Sequence, residues 1–214
     1  SGTIPVFKLS NGVEYPLLGL GCASGVRKSH AISAINKGIR LLDTAQAYHW
    51  GYREDEIGQA IVESRVNRSE IFVQTKLDPA YLGTETTRMA IETSMKNLQV
   101  EYLDSLLIHF PTCQHCQKAP EGTWLDSWRV MEDYYQSGRI RAIGVSNFDL
   151  TLLKHLNRHA VVMAHVVQNW MDPFHQDKQV RQWCQDNNIL YQAYSQFGGQ
   201  WRHQRDGIEG SPAL

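Results

Sequence analysis

Apolar positions along the chain follow two alternating periods. Short β-rich runs lie at residues 39–43, 71–76, 104–109, 140–146, 165–168 and 189–194. Most are nearly continuous apolar stretches, as parallel strands covered on both faces require. Helical faces lie between them: Ile57, Ala60 and Ile61; Ile91, Met95 and Leu98; Trp124, Trp128, Met131 and Tyr135. Thr84, Thr123 and Asp149 sit where N-caps belong, and Gly38 and Gly138 where helices stop. Upstream, runs 6–9 and 13–17 flank Asn11-Gly12, a strong hairpin signal, and a further short strand is expected over 17–21.

A hairpin followed by repeated β-α units predicts an α/β fold of (β/α)8 TIM-barrel type as a single domain over 1–214. Seven parallel strands and six helices are counted, so the C-terminal βα portion of a full barrel is expected to be missing from this chain. Ser211-Pro212 reads as the start of a further helix. Open strand edges predict self-association, or a partner chain covering the gap.

Composition narrows the classes. Lys+Arg 21 against Asp+Glu 22 leaves a net charge of −1, which argues against a nucleic-acid partner. No uncharged apolar run approaches the roughly 18 residues of a membrane span, and no signal-peptide pattern opens the sequence. Four cysteines are too few for a disulfide scaffold, so a reduced, cytoplasmic setting is expected.

The chemistry lies at the strand ends. Asp43, Lys76, His109, Ser146-Asn147, Gln168 and Tyr194-Ser195 each close an apolar run. In a β/α barrel these ends converge on one rim. Tyr48 follows Asp43 by five residues in the same loop. A phenol with a pKa near ~10 is a poor acid unless an ammonium stabilises its phenolate. Asp43, Lys76 and Tyr48 would form such a relay if the strand ends meet, with His109 polarising a carbonyl. No metal is called for.

These motifs resemble the aldo-keto reductase family along the whole chain. LLDTAQAY carries Asp43 and Tyr48, QTKL carries Lys76 and LIHFP carries His109, the four members of the family's catalytic tetrad. The resemblance implies NADPH-dependent reduction of aldehydes or ketones to alcohols, with NADH possible and Tyr48 as proton donor. It implies that Ser146, Asn147 and Gln168 hold the nicotinamide amide, that Tyr194 stacks on its ring, and that Ser195, Gln196, Phe197 and Gly198 begin the pyrophosphate loop. Gly21 and Cys22 would lie near the nicotinamide ribose. Where the family often has aromatic residues this chain has Ala23 and Asp78, and Phe110 follows the catalytic His. A wider pocket with an extra acid is therefore expected, lined by Ala23, His49, Trp50, Asp78 and Phe110. Tyr52 is left between the pocket mouth and solvent. The family's segment for the adenosine 2′-phosphate is expected to have no counterpart in residues 1–214, with Arg202, His203 and Arg205 as the nearby cations.

Two decoys are set aside. Gly19-x-Gly21-x-x-x-Gly25 is one residue too long for the Rossmann fingerprint. Cys113-x-x-Cys116 has no second pair to complete a structural zinc site, so free thiols are expected, with a regulatory disulfide as the alternative. A non-catalytic nucleotide-binding or interaction subunit of the same fold, or a piece of a longer enzyme, are the competing readings.

Overall fold

The computed structural model describes residues 4–197. Gly198, the cations at 202–205 and the expected helix start at 211 lie outside them. Strands β1 (Val6–Lys8) and β2 (Glu14–Pro16) form an antiparallel hairpin whose turn places Gly12 at φ +88°. The β-α units follow in order: β3 (Gly19–Gly21), α1 (Lys28–Asn36), β4 (Leu41–Asp43), α2 (Glu54–Glu63), β5 (Phe72–Leu77), α3 (Thr84–Leu98), β6 (Ser105–Ile108) and α4 (Trp124–Gln136). The last are β7 (Ile143–Ser146), α5 (Leu150–His159), β8 (Val166–Trp170), α6 (Lys178–Asp186) and β9 (Leu190–Tyr194). The sheet is seven-stranded and parallel in the order β3-β4-β5-β6-β7-β8-β9, a nearly closed barrel.

Two apolar clusters explain the continuous runs. Leu42, Val73, Leu106, Ile108, Val145 and Val167 pack outward against Ile57, Ile91, Leu98, Trp128 and Leu153 of the helices. Leu41, Phe72, Leu107, Ala142 and Val166 point into the barrel, where Leu9 and Tyr15 of the hairpin segment meet them. Strand side chains alternate with period two. Counting on from the inward set, Asp43, Lys76, His109, Ser146, Gln168 and Tyr194 all fall on the inner face at the C-terminal ends.

No pairing joins β3 to β9 among the described residues. A cleft of about 320 Å³ opens there, lined by residues including Gly19, Leu41, Gln192 and Tyr194. Below it the Tyr15 hydroxyl donates to Gln192 Oε1 at 2.6 Å and lies 3.0 Å from Gln74 Oε1, so the hairpin ties β5 to β9. On the outside α2 crosses α3 at Gly58. A Cβ there would collide with the Asn97 carbonyl oxygen and sit 2.7 Å from the Leu98 carbonyl carbon.

Thr123 and Asp149 cap α4 and α5, accepting from Asp126 N and Leu152 N. Thr84 is not a cap. Gly83, at φ +134°, precedes α3, because Glu121 presses on it and leaves no room for a side chain. The expectation of free thiols at 113 and 116 is also corrected. These cysteines form a disulfide across a Cα–Cα distance of 5.5 Å, since a three-residue spacing in a turn lets the two thiols face each other. Cys22 and Cys184 are free and buried.

Candidate active site

Asp43, Lys76 and His109 come together at the inner rim. Lys76, 1% exposed, donates from Nζ to Asp43 Oδ1 at 2.7 Å and to the Thr44 carbonyl at 3.1 Å. Asp43 also accepts from Gln74 Nε2 on Oδ1 and from Gln168 Nε2 on Oδ2, both at 2.8 Å. Burial works to lower the Lys76 pKa, but Asp43 and the neighbouring Tyr52 outweigh it and the ammonium sits above its ordinary value. His109 is driven the other way. Burial first, then Lys76, His49 and His115, hold its imidazole well below the usual range and therefore neutral. Its Nδ1 is buried without a hydrogen-bond partner among the described residues.

Tyr48 does not join this group. After Asp43 the chain runs on beside β5, with Thr44 N donating to Gln74 O and Gln46 N to Lys76 O, and then turns outward. Residues Tyr48–Trp50 form a single 3-10 turn that Gly51 closes at φ +83°, a left-handed conformation suited to glycine. Tyr48 is left half exposed, with the Arg53 guanidinium 6.0 Å from its ring centre. Its pKa is raised by partial burial and by Asp55 and Glu54.

The reversal at Gly51 aims Tyr52 inward instead. Its ring centre lies 5.4 Å from Lys76 Nζ and 5.9 Å from the His109 ring. Burial raises its pKa and the Lys76 ammonium opposes that rise. Sequence spacing from Asp43 pointed to Tyr48, whereas the structure sets the Tyr52 ring beside Lys76. The signal was Gly51 between Tyr48 and Tyr52, a helix-breaking residue that sets the two rings on opposite sides. Gln74 and Gln192, which buttress Asp43 and Tyr15, were also missed. Both lie on the inner face at alternating positions.

The residues expected to hold a nicotinamide cluster beside Asp43, Lys76 and His109. Ser146 and Gln168 are neighbours in the β7–β8 register. Asn147 donates from Nδ2 to the His109 carbonyl at 2.9 Å and accepts from the Tyr194 hydroxyl at 2.5 Å. Burial pushes the Tyr194 phenol up to about 12. Gly21, Tyr194, Ser195 and Gln196 line the β3/β9 cleft, and a Cβ built on Gly21 meets nothing within 4 Å. The unpartnered His109 nitrogen, amide and hydroxyl groups and this open glycine face together fit a planar amide and a sugar. Cys22 is fully buried; its N–H donates to the Asp43 carbonyl and its thiol to the Leu20 carbonyl, so its side chain serves the core. Phe197 is 99% exposed and is not among the described residues that line the cleft.

The mouth is aromatic. Trp50 packs edge-on to His109 at 5.1 Å and lies 5.3 Å from Phe110 and 4.4 Å from His49. Ala23 lies in the adjoining loop, where Ser24 N donates to the Trp50 carbonyl. Asp78 is not the free pocket acid expected of it. Its buried carboxylate accepts from Ala80 N at 2.9 Å, capping the turn Pro79–Tyr81, and lies 3.6 Å from His115 Nε2.

A family model described as the aldo/keto reductase family matches residues 28–212. The chain is 38% identical over 192 residues to a glyoxal reductase of Bacillus subtilis (strain 168), covering 88% of this chain and 66% of that protein. It is 31% identical over 223 residues to an NAD(P)H-dependent D-xylose reductase of Candida tropicalis, covering 92% and 68%. Among solved structures it superposes on a Bombyx mori aldo-keto reductase in complex with NADP with a TM-score of 0.88 at 29% identity, covering 100% of this chain and 72% of that one. The chain spans about two thirds of the length of the curated relatives it matches. On the strength of the match from residue 28 to 212, which takes in the buried Asp43–Lys76 pair and His109, the chain belongs to the aldo/keto reductase family.

Proposed function

We propose that the protein is an NADPH-dependent oxidoreductase that reduces aldehydes or ketones to alcohols, NADH being usable in its place, with Tyr52 rather than Tyr48 as proton donor. One observation carries the reading: Lys76, paired with Asp43 at 2.7 Å, lies against the Tyr52 ring beside a neutral His109. The dinucleotide, when bound, supplies hydride. Ser146, Asn147 and Gln168 orient its amide, Tyr194 covers its ring, and the loop from Ser195 through Gln196 takes its phosphates. His109 offers a ring N–H to the carbonyl oxygen, which fixes and polarises it. The Tyr52 hydroxyl delivers the proton to that oxygen, and the Lys76 ammonium stabilises the phenolate left behind. Asp43 keeps the ammonium charged and in place. Trp50, His49 and Phe110 form the aromatic wall against which the substrate packs.

The names of the relatives support carbonyl reduction with a nicotinamide cofactor. A cytoplasmic location belongs to the same proposal; among the described residues no helix is long and apolar enough to cross a membrane. So does association through the β3 and β9 edges, which pair with no further strand among the described residues. The test is loss of NADPH absorbance at 340 nm with a small aldehyde. Turnover that needs both the aldehyde and this chain supports the reading, and its absence with a panel of aldehydes and ketones refutes it.

A further inference from the structure

Three loops bring a second set of ligating groups to the rim, apart from Asp43, Lys76 and His109. His49 comes from the 3-10 turn after β4, Asp78 from the end of β5 and His115 from the loop after β6. One ligand atom of each lies within 4.8 Å of the others. The two imidazoles are 4.5 Å apart between ring centres, and His115 Nε2 is 3.6 Å from Asp78 Oδ1. We propose that His49, Asp78 and His115 form a binding site for a divalent transition metal, zinc above all, at the mouth of the cleft.

Zinc takes nitrogen and carboxylate ligands at about 2.0–2.2 Å, which sets tetrahedral ligand atoms about 3.3 Å apart. Closing the observed spacing to that value needs a convergence of about 1.5 Å, within reach of imidazoles on short loops. The carboxylate is already fixed, because Asp78 is buried and its N-cap bond to Ala80 occupies one of several lone pairs. Both histidines are exposed, so solvent supplies the metal and its remaining ligand. The Cys113–Cys116 disulfide brackets His115 and anchors its loop. It also withholds both thiolates, leaving an N2O set that suits zinc or cobalt. A second triad, Cys113, His115 and Cys116, shares His115 with the first. The two sets are distinguishable because only the second places sulfur on the metal. Trp50, tilted against His49 and edge-on to His109, reports on the site.

The experiment titrates the chelator-treated, disulfide-bonded chain with Co2+ and then Zn2+. The expected result is saturable binding of one Co2+ with visible ligand-field bands, no thiolate-to-cobalt charge-transfer band, and displacement by Zn2+. His49→Gln, Asp78→Asn and His115→Gln should each weaken binding at least tenfold. His155→Gln, which breaks the stacked His155–His159 pair on α5, should change nothing. In the unmutated chain Zn2+ should protect His49 and His115, but not His30, from diethylpyrocarbonate by peptide mapping, a readout that does not depend on how the variants fold. A charge-transfer band, affinity lost in His155→Gln instead, no saturable binding, or no protection of His49 and His115 would each overturn the assignment.

Discussion

Lys76→Met isolates the buried ion pair. Methionine keeps an unbranched apolar stem in the barrel but removes the charge. Among the described residues Asp43 is then left with the neutral donors Gln74 and Gln168 at 2.8 Å. Breaking one partner of a buried pair costs about 3–5 kcal/mol, because the remaining charge is uncompensated. Against a total stability of about 5–15 kcal/mol for a domain, that is about a fifth of the total or more. Asp43→Asn/Lys76→Met removes both charges and should recover at least half of the loss. Urea unfolding followed by circular dichroism measures all three chains. A single-variant cost below about 1 kcal/mol, or a double variant no more stable than the single, would refute the reasoning.

The same pair gives a pH dependence. Burial lowers the Lys76 pKa, but Asp43 and Tyr52 outweigh it, so its folded value is above its unfolded one. A raised lysine contributes its full stability below the unfolded value of about 10.4 and loses it as pH rises through the folded value. Thermal melts above about pH 10 should therefore show the unmutated chain falling toward Lys76→Met; parallel curves would contradict this. Gly58→Ala should destabilise by about 1–3 kcal/mol through overpacking, because the new Cβ meets α3 backbone rather than a side chain that can swing away. At about 2–4 °C per kcal/mol for a domain of this size, calorimetry would register the drop, and an unchanged Tm would contradict the close α2–α3 crossing.

Much of the barrel was legible because most inner and outer positions in the lower halves of the strands are apolar. Leu41-Leu42, Phe72-Val73 and Val166-Val167 each send one residue to each side of the sheet. Period two then carried Asp43, Lys76, His109 and Gln168 to one rim. What counting could not supply was the path between strands. Tyr48 and Tyr52 differ by one reversal, made by a glycine at φ +83° after a 3-10 turn, and residue spacing alone does not reveal which ring turns inward. Thr84 was misplaced for a similar reason: the cap position was settled by Glu121, distant in sequence, pressing on Gly83. Cys113 and Cys116 read as free by counting cysteines, whereas their pairing is decided locally by a turn.

The choice between the two tyrosines is the most direct test. Turnover of a small aldehyde with NADPH should be measured for Tyr52→Phe and Tyr48→Phe beside the unmutated chain, with nucleotide affinity checked by fluorescence titration. Loss of the general acid should lower kcat by about 10²–10⁴-fold in Tyr52→Phe, with nucleotide binding retained. Tyr48→Phe, at a half-exposed ring that faces Arg53, should keep kcat close to that of the unmutated chain. The reverse pattern, a collapse in Tyr48→Phe with Tyr52→Phe fully active, would contradict the account.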